Sequence, residues 1–477
     1  MNNINHTFYL LSILITLSGI LNKERGINKV ERTVNWNQES FLPQGIFRQE
    51  GYGFILEIKK KSVDIYEEAG AYCYPSKSIS LEEFMQSSEV QSFDEGVLTI
   101  EKGITLYTYQ KLDALPDGCD SYNTDKENQL YNFNVLVASL KDHYAFFDSR
   151  FPTFQTEVGQ IKSRLREKLS EEDFFREIHQ LMKKFNDGHT EIEIPENLGK
   201  KLPELENDDE MSALRKKVRK DILEKYVDEI NEYNKGVIRW GNINDDVLYV
   251  QINGMDLTAD YGINQDLNRN KFFKKYLAQA ERDYSYAESL TNGVATLFNS
   301  ILENNKAQSI ILDIRINNGG YDGVGLEILR FFAKERTKVL SKKARIGNGF
   351  SSEQEIYIEL SNRTFDGKVY VLTSCQTVSA AEIMAMGAKA LPNLKLVGGN
   401  TQGTLSDALE KQLPNGWKFT LSNEVYLDSK SKSYEGIGIP PDHQINYPSE
   451  EKELLKYLLE DLKDGDEAID NILSGVF

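Results

Sequence analysis

The stretch SIILDIRINNGG (Ser309–Gly320) decides the architecture. Its first half is a nearly continuous apolar run of strand length, the pattern of a strand covered by helices on both faces. It then breaks into a polar, glycine-containing turn, where glycine lets backbone N–H groups face a ligand closely. Comparable strand signals are VLYVQI (Val247–Ile252), KVYVLT (Lys368–Thr373) and LKLVG (Leu394–Gly398). Helical patterns lie near 286–305, 323–334, 379–391 and 450–463. Strands alternating with helices predict an α/β domain over 237–463, followed by a tail over 464–477.

Further upstream the period changes twice. Over 125–195, Phe133, Leu136, Val137, Leu140, Tyr144 and Phe147 follow helical spacing, as do Val158, Ile161, Leu165 and Leu169. Ser170 followed by Asp173 reads as the N-cap of a third helix that stops at Asn186-Asp187-Gly188. The alternation in Thr190–Ile194 then predicts a strand, so His189 sits on a helix–strand joint. Residues 196–236 are densely charged and read as a solvated helix or linker. Over 40–120 the signals are short, aromatic and β-branched: GYGFILEI (Gly51–Ile58), SVDIYE (Ser62–Glu67), VLTIE (Val97–Glu101) and ITLYTY (Ile104–Tyr109). They predict a small antiparallel accessory domain with turns at Lys59–Lys61 and Lys102–Gly103.

Composition narrows the chemistry. The 477 residues are 40% hydrophobic, enough to fill cores and to exclude wholesale disorder. Fifty-six Lys and Arg against 74 Asp and Glu give a net charge of −18, which argues against nucleic acid as a partner. The five histidines show no HExxH arrangement and the three cysteines no zinc spacing, so no metal or other cofactor is expected. Phe8–Leu21 is an apolar run of 14 residues, too short to span a bilayer and suited to a secretory signal over 1–21, with a linker over 22–39. Export to the periplasm, cell surface or medium is therefore expected, with no later membrane-spanning stretch. Export also makes a Cys73–Cys119 disulfide possible, leaving Cys375 free.

Three segments of the α/β half stand out chemically. Ser309–Gly320 is the first. The second, TSCQTVSAAE (Thr373–Glu382), places a serine at the head of a helix, where free N–H groups and the dipole stabilise an oxyanion. YEGIGIPPD (Tyr434–Asp442), the third, is a rigid turn headed by one acid. Together with NDGHT (Asn186–Thr190), these segments resemble peptidase family S41 in residue type and in chain order, over roughly 128–463.

The resemblance implies a ClpP/crotonase-like catalytic domain preceded by a helical subdomain and an N-terminal β domain. It also implies a serine peptidase acting on peptides or proteins through an acyl-enzyme. Carried over by position, Ser379 is the nucleophile, His189 the general base and Glu435 the acid that orients or polarises the imidazole. The backbone N–H groups of Ala380 and of Gly319 or Gly320 form the oxyanion hole. Tail-specific members use a serine–lysine dyad, but here Thr404 stands where the lysine would be, and residues 195–300 show no PDZ-like loop. Both features resemble the serine–histidine–glutamate branch. One departs from it: Gly188 precedes the base, where tricorn-type members have a serine. Read as residues alone, Asp313 and Arg315 form a buried ion pair supporting the turn, and Glu382 ties down its helix. An idle ligand-binding protein, or an esterase or amidase of small acyl substrates, are the alternatives on the same fold.

Overall fold

The computed structural model describes residues 42–119, 125–205 and 209–477. The segment Phe8–Leu21 and the 22–39 linker lie outside the described residues. Among the described residues no helix is long and apolar enough to cross a membrane.

The N-terminal unit is a single antiparallel sheet of seven strands. These are β1 Gly45–Gln49, β2 Phe54–Ile58, β3 Ser62–Ala69, β4 Tyr72–Ser80, β5 Glu89–Asp94, β6 Val97–Lys102 and β7 Thr105–Leu112, in the order β4-β3-β2-β1-β7-β6-β5. Both predicted hairpins form, β2 with β3 and β6 with β7, the latter turning at Gly103 with φ +63°. Strand alternation divides the side chains into two faces. The inner face carries Leu56, Val63, Leu98 and Ile100 against Phe84 of the helix Leu81–Gln86, whose N-cap Ser80 accepts from the Glu83 amide. The outer face packs Ile55 and Tyr66 against the Cys73–Cys119 disulfide; Cys375 is free.

Three helices follow: Gln129–His143, Phe154–Arg164 and Glu171–Lys183. Ser170 caps the third by accepting from the Asp173 amide at 3.1 Å. Their apolar faces share one core with Trp417, Phe419 and Leu421, so the helical unit is fused to the later domain. The alternation at 190–194 gives only one bridge, Ile192 opposite Phe419.

The remaining strands are β8 Asn231–Tyr233, β9 Ile238–Asn244, β10 Val247–Ile252, β11 Ser309–Asp313, β12 Ile316–Asn317, β13 Thr337–Ile346, β14 Gly349–Phe350 and β15 Gln354–Ile358. They continue as β16 Lys368–Thr373, β17 Gln376–Thr377, β18 Leu394–Gly398, β19 Ala408–Gln412, β20 Lys418–Ser422, β21 Glu424–Asp428 and β22 His443–Gln444. The central sheet runs β22-β18-β16-β11-β10-β9-β8, parallel from β22 to β10 and antiparallel at the β9–β8 edge. Leu248, Val250, Ile310, Leu312, Val369 and Val371 face the helices Tyr286–Glu303, Asp322–Arg330 and Ala380–Ala388. Tyr249, Ile311, Tyr370 and Leu372 face the opposite layer. Both faces are thus covered, which is why these strands read as continuous apolar runs.

That opposite layer lies where the sequence suggests solvated chain. The helix Asp209–Tyr226, inside the charged 196–236 stretch, buries Val218, Ile222 and Leu223 on the sheet. β8, the edge strand of the central sheet, also falls before residue 237. The 464–477 segment forms the helix Glu467–Leu473 and buries Ala468, Ile469 and Ile472. A narrow apolar stripe suffices to dock a helix whose other faces are charged. Asp466, which caps that last helix, meets the guanidinium of fully buried Arg315 at 2.8 Å, and Asp313 meets it at 2.6 Å. The predicted Asp313–Arg315 pair therefore has a third member.

Candidate active site

β16 ends at Thr373, and the chain crosses to β17, which pairs in parallel with β12. This small ladder sets the turn after Asn317 beside the residue that enters the helix Ala380–Ala388. That residue is Ser379, with φ 57° and ψ −128°. A side-chain-bearing residue rarely adopts this conformation, and holding it costs roughly 1–3 kcal/mol. The strand–turn–helix elbow leaves Ser379 half-buried at the wall of a cleft. Only glycine fits opposite: a Cβ at Gly319 would lie 2.7 Å from the Ser379 Cβ.

Backbone pairing around the turn separates its two glycines. The Gly319 N–H donates to Asn317 Oδ1 at 2.8 Å, and its carbonyl accepts from the Met255 amide at 2.7 Å. The Tyr321 amide donates to the Met255 carbonyl at 2.9 Å. Gly320 N–H, flanked by these bonds, has no acceptor among the described residues, and neither does Ala380 N–H at the first position of its helix. Of the two glycines named from sequence, only Gly320 keeps a donor to offer.

Glu382 is fully buried one turn into the helix. Its Oε2 accepts from the amides of Ser379 at 3.2 Å and Thr404 at 2.8 Å, and its Oε1 accepts from Gly403 at 2.7 Å. Burial pushes its pKa up to about 7. This one carboxylate joins the serine elbow to the loop that holds Thr404. Thr404 in turn lies against Gly188, where an added Cβ would meet its methyl at 3.5 Å.

His189 is half-buried and lines the same cleft as Ser379, without a direct hydrogen bond between them. Its turn begins at Asn186, in a left-handed conformation with φ 48° that asparagine tolerates, and is held by Asp187. Asp187 Oδ1 accepts from the His189 amide and from Ser422 Oγ, both at 3.0 Å, and Oδ2 accepts from Tyr144 Oη at 3.0 Å. The His189 Nδ1 is buried and has no hydrogen-bond partner among the described residues.

Glu435 does not touch that imidazole. Its Oε1 accepts from Arg150 Nη2, and its Oε2 from the amides of Leu405 at 2.9 Å and Ser406 at 3.2 Å. Arg150 also donates to the Asn186 carbonyl and, at 2.7 Å, to the Gly403 carbonyl. Glu435 therefore reaches the histidine turn through a guanidinium. Burial raises its pKa, with the nearby Asp187 charge adding to the effect and Arg150 opposing it. Arg150 carries no local sequence signal, because its partners come from three distant segments. Asp187 stands in the quoted Asn186–Thr190 motif and was legible there as a turn-former. Among the described residues no His, Cys, Asp or Glu cluster could hold a metal ion.

Residues 246–445 match the profile of peptidase family S41. Over those residues the chain is similar to this family. A carboxyl-terminal-processing protease of Synechocystis sp. is 28% identical over 149 residues, 31% of this chain and 33% of that protein. The match thus spans about a third of that curated relative. The solved structure of a candidate peptidase from Parabacteroides merdae aligns with a TM-score of 0.51 at 18% identity, over 74% of this chain and 97% of that one. Mature CPAF aligns with a TM-score of 0.50 at 10% identity, over 74% and 99%. At these identities the structural likeness is one of fold. The S41 match starts one residue before β10 and ends at Ile445, just after β22, so it covers the parallel sheet and the serine elbow while leaving out the histidine turn.

Proposed function

We propose that this S41 chain is an exported serine peptidase that hydrolyses peptide bonds in peptide or protein substrates, on a ClpP/crotonase-like catalytic domain. Ser379 Oγ attacks the scissile carbonyl while His189 takes its proton. The tetrahedral oxyanion is received by the N–H groups of Gly320 and Ala380. His189 then delivers the proton to the leaving amine, and an acyl-enzyme on Ser379 remains. Water deprotonated by His189 attacks this ester and releases the second product.

In this reading Glu435 is a positioning residue. Its charge holds Arg150, and Arg150 holds the Asn186 carbonyl two peptide units from Gly188-His189. The arrangement is a serine–histidine–glutamate set in which the third member acts through a cation. The single observation that carries the proposal is the strained Ser379 elbow between two unpaired amides. An idle binding protein has no need to hold a serine in that conformation.

The experiment is covalent labelling with a fluorophosphonate, paired with hydrolysis of peptide and ester libraries. Labelling is expected on Ser379 and absent in Ser379→Ala, which keeps the wild-type melting temperature and loses turnover. Failure of the wild-type chain to label would refute the mechanism. Cleavage of esters without peptides would move the function to small acyl substrates.

A further inference from the structure

The N-terminal sheet meets the S41 domain at the cleft itself. Tyr321, next in sequence to Gly320, lies under the β6–β7 turn so closely that a Cβ at Gly103 would be 2.2 Å from its hydroxyl. The hairpin is clamped there by Gln354, which donates to the Ile104 carbonyl at 2.9 Å and accepts from the Leu106 amide at 3.1 Å. Lys342 adds a bond to Thr105 Oγ1 at 2.5 Å. β19 is fixed against the same sheet by the buried Lys411–Glu67 pair at 2.6 Å and by Lys411 to the Gly53 carbonyl at 2.7 Å.

Between these two attachments the cleft continues along the inner face of the sheet. Beyond the part packed on Phe84, the half-buried Phe54, Ile65, Ile79 and Tyr107 line it. Two cations interrupt this apolar surface. Lys102 follows Leu98 and Ile100 at strand spacing and so shares their face, and Lys77 pairs across from Ile65. The Lys102 ammonium has no hydrogen-bond acceptor or carboxylate in contact among the described residues. The charged groups facing it are Lys77 on β4, which repels it, and Glu410 on β19, which attracts it. Burial and the Lys77 charge hold its pKa down at about 8. A half-buried ammonium without a contacting carboxylate, in a chain of net charge −18, serves no packing purpose. It does complement an incoming carboxylate.

We propose that the inner face of the N-terminal sheet is the docking groove for an extended acidic segment of the substrate polypeptide, and that Lys102 receives a carboxylate of that segment. Lys102 is one residue from Gly103, which touches the side chain of Tyr321, which adjoins the oxyanion donor Gly320. The proposal rests on the peptidase reading of Ser379, but its test does not depend on turnover.

The test uses the full chain carrying Ser379→Ala and fluorescein-labelled dodecapeptides of Ala, Leu and Gln, read by fluorescence anisotropy. One set carries a single Glu moved through the sequence with an amidated terminus. A second carries no Glu and ends in either a free carboxylate or an amide. An all-Gln, amidated peptide is the reference. A carboxylate is expected to tighten binding about tenfold over the reference, in one or both sets, which tells side chain from terminus. Lys102→Met should erase that preference, leave binding of the reference within twofold and keep or raise the melting temperature. Lys102→Arg should retain part of the preference. Equal binding of acidic and neutral peptides, a preference that survives Lys102→Met, a lowered melting temperature, or no binding of any peptide would each overturn the proposal. Peptide cleavage by the wild-type chain with no acid preference would sink the groove and leave the peptidase standing. Acid-dependent binding without labelling of Ser379 would do the reverse.

Discussion

Replacing Glu382 by Gln tests the tether between the Ser379 elbow and the loop at Gly403-Thr404. The wild-type carboxyl is fully buried, has no cation partner and carries a pKa pushed up to about 7 from 4.5. Between those values the native state holds a proton that the unfolded chain has already released. Stability accordingly falls as the pH rises through that window, and the loss is complete above about pH 7. A displacement of about 2.5 units corresponds to roughly 3 kcal/mol at 1.36 kcal/mol per unit. The Glu382→Gln side chain does not titrate, and like the protonated acid it offers one acceptor oxygen. Near pH 4.5 the variant should therefore match wild type to within about 1 kcal/mol. By pH 8 the gap should have moved by about 3 kcal/mol in favour of the variant. Guanidinium unfolding of both chains at the two pH values measures this double difference directly. Fluorophosphonate labelling at pH 8 gives the functional counterpart. The carboxamide of the variant can no longer accept from Ser379, Gly403 and Thr404 together, so labelling should slow by at least tenfold. Parallel stability curves, with a double difference below about 1 kcal/mol, would refute the account of Glu382 as an ionised, unneutralised tether. An unchanged labelling rate would refute its role in shaping the elbow.

Arg150→Met leaves Glu435 buried beside Asp187 without its cation; it should lower stability by about 3–5 kcal/mol and slow peptide hydrolysis by about 10², read by thermal unfolding and kcat/KM. Gly320→Ala places a Cβ 2.5 Å from the Met255 carbonyl carbon at a φ of +138°, so turnover should fall by 10²–10³ with KM little changed, provided the far-UV spectrum is retained. Reduction of Cys73–Cys119, which closes a loop with a sequence separation of 46, should cost about 4 kcal/mol and lower the melting temperature; an unchanged melt in dithiothreitol contradicts it.

The central sheet was readable because its strands are buried on both faces, and such strands carry the most distinctive local pattern. The four motifs were readable because glycine, asparagine and serine are placed there by backbone demands that leave a fixed spacing. What escaped was decided by tertiary context. The helix Asp209–Tyr226 hides a three-residue apolar stripe among charges, and the helix Glu467–Leu473 is too short to show a period. β4 contains Pro75 and two lysine-flanking serines, and its ladder is held by its neighbour β3 more than by its own propensity. His143, at the end of the helix Gln129–His143, is buried, with its pKa driven down to about 3 by desolvation and by Lys411. The motif assigns Glu435 to the His189 imidazole, but its carboxylate meets Arg150, a residue 285 positions earlier that no local pattern marks.

The order in which the chain is made has a consequence for the N-terminal sheet. Tyr52 bonds Glu424 across 372 residues, so the sheet that holds Tyr52 leaves the ribosome long before these partners do. At 5–20 residues per second that interval is roughly 20–70 s. Throughout it, Glu67 lacks Lys411 and Tyr52 lacks Glu424. A nascent chain paused anywhere before β19 presents a half-finished sheet, which makes this segment the natural point of engagement for a holding chaperone.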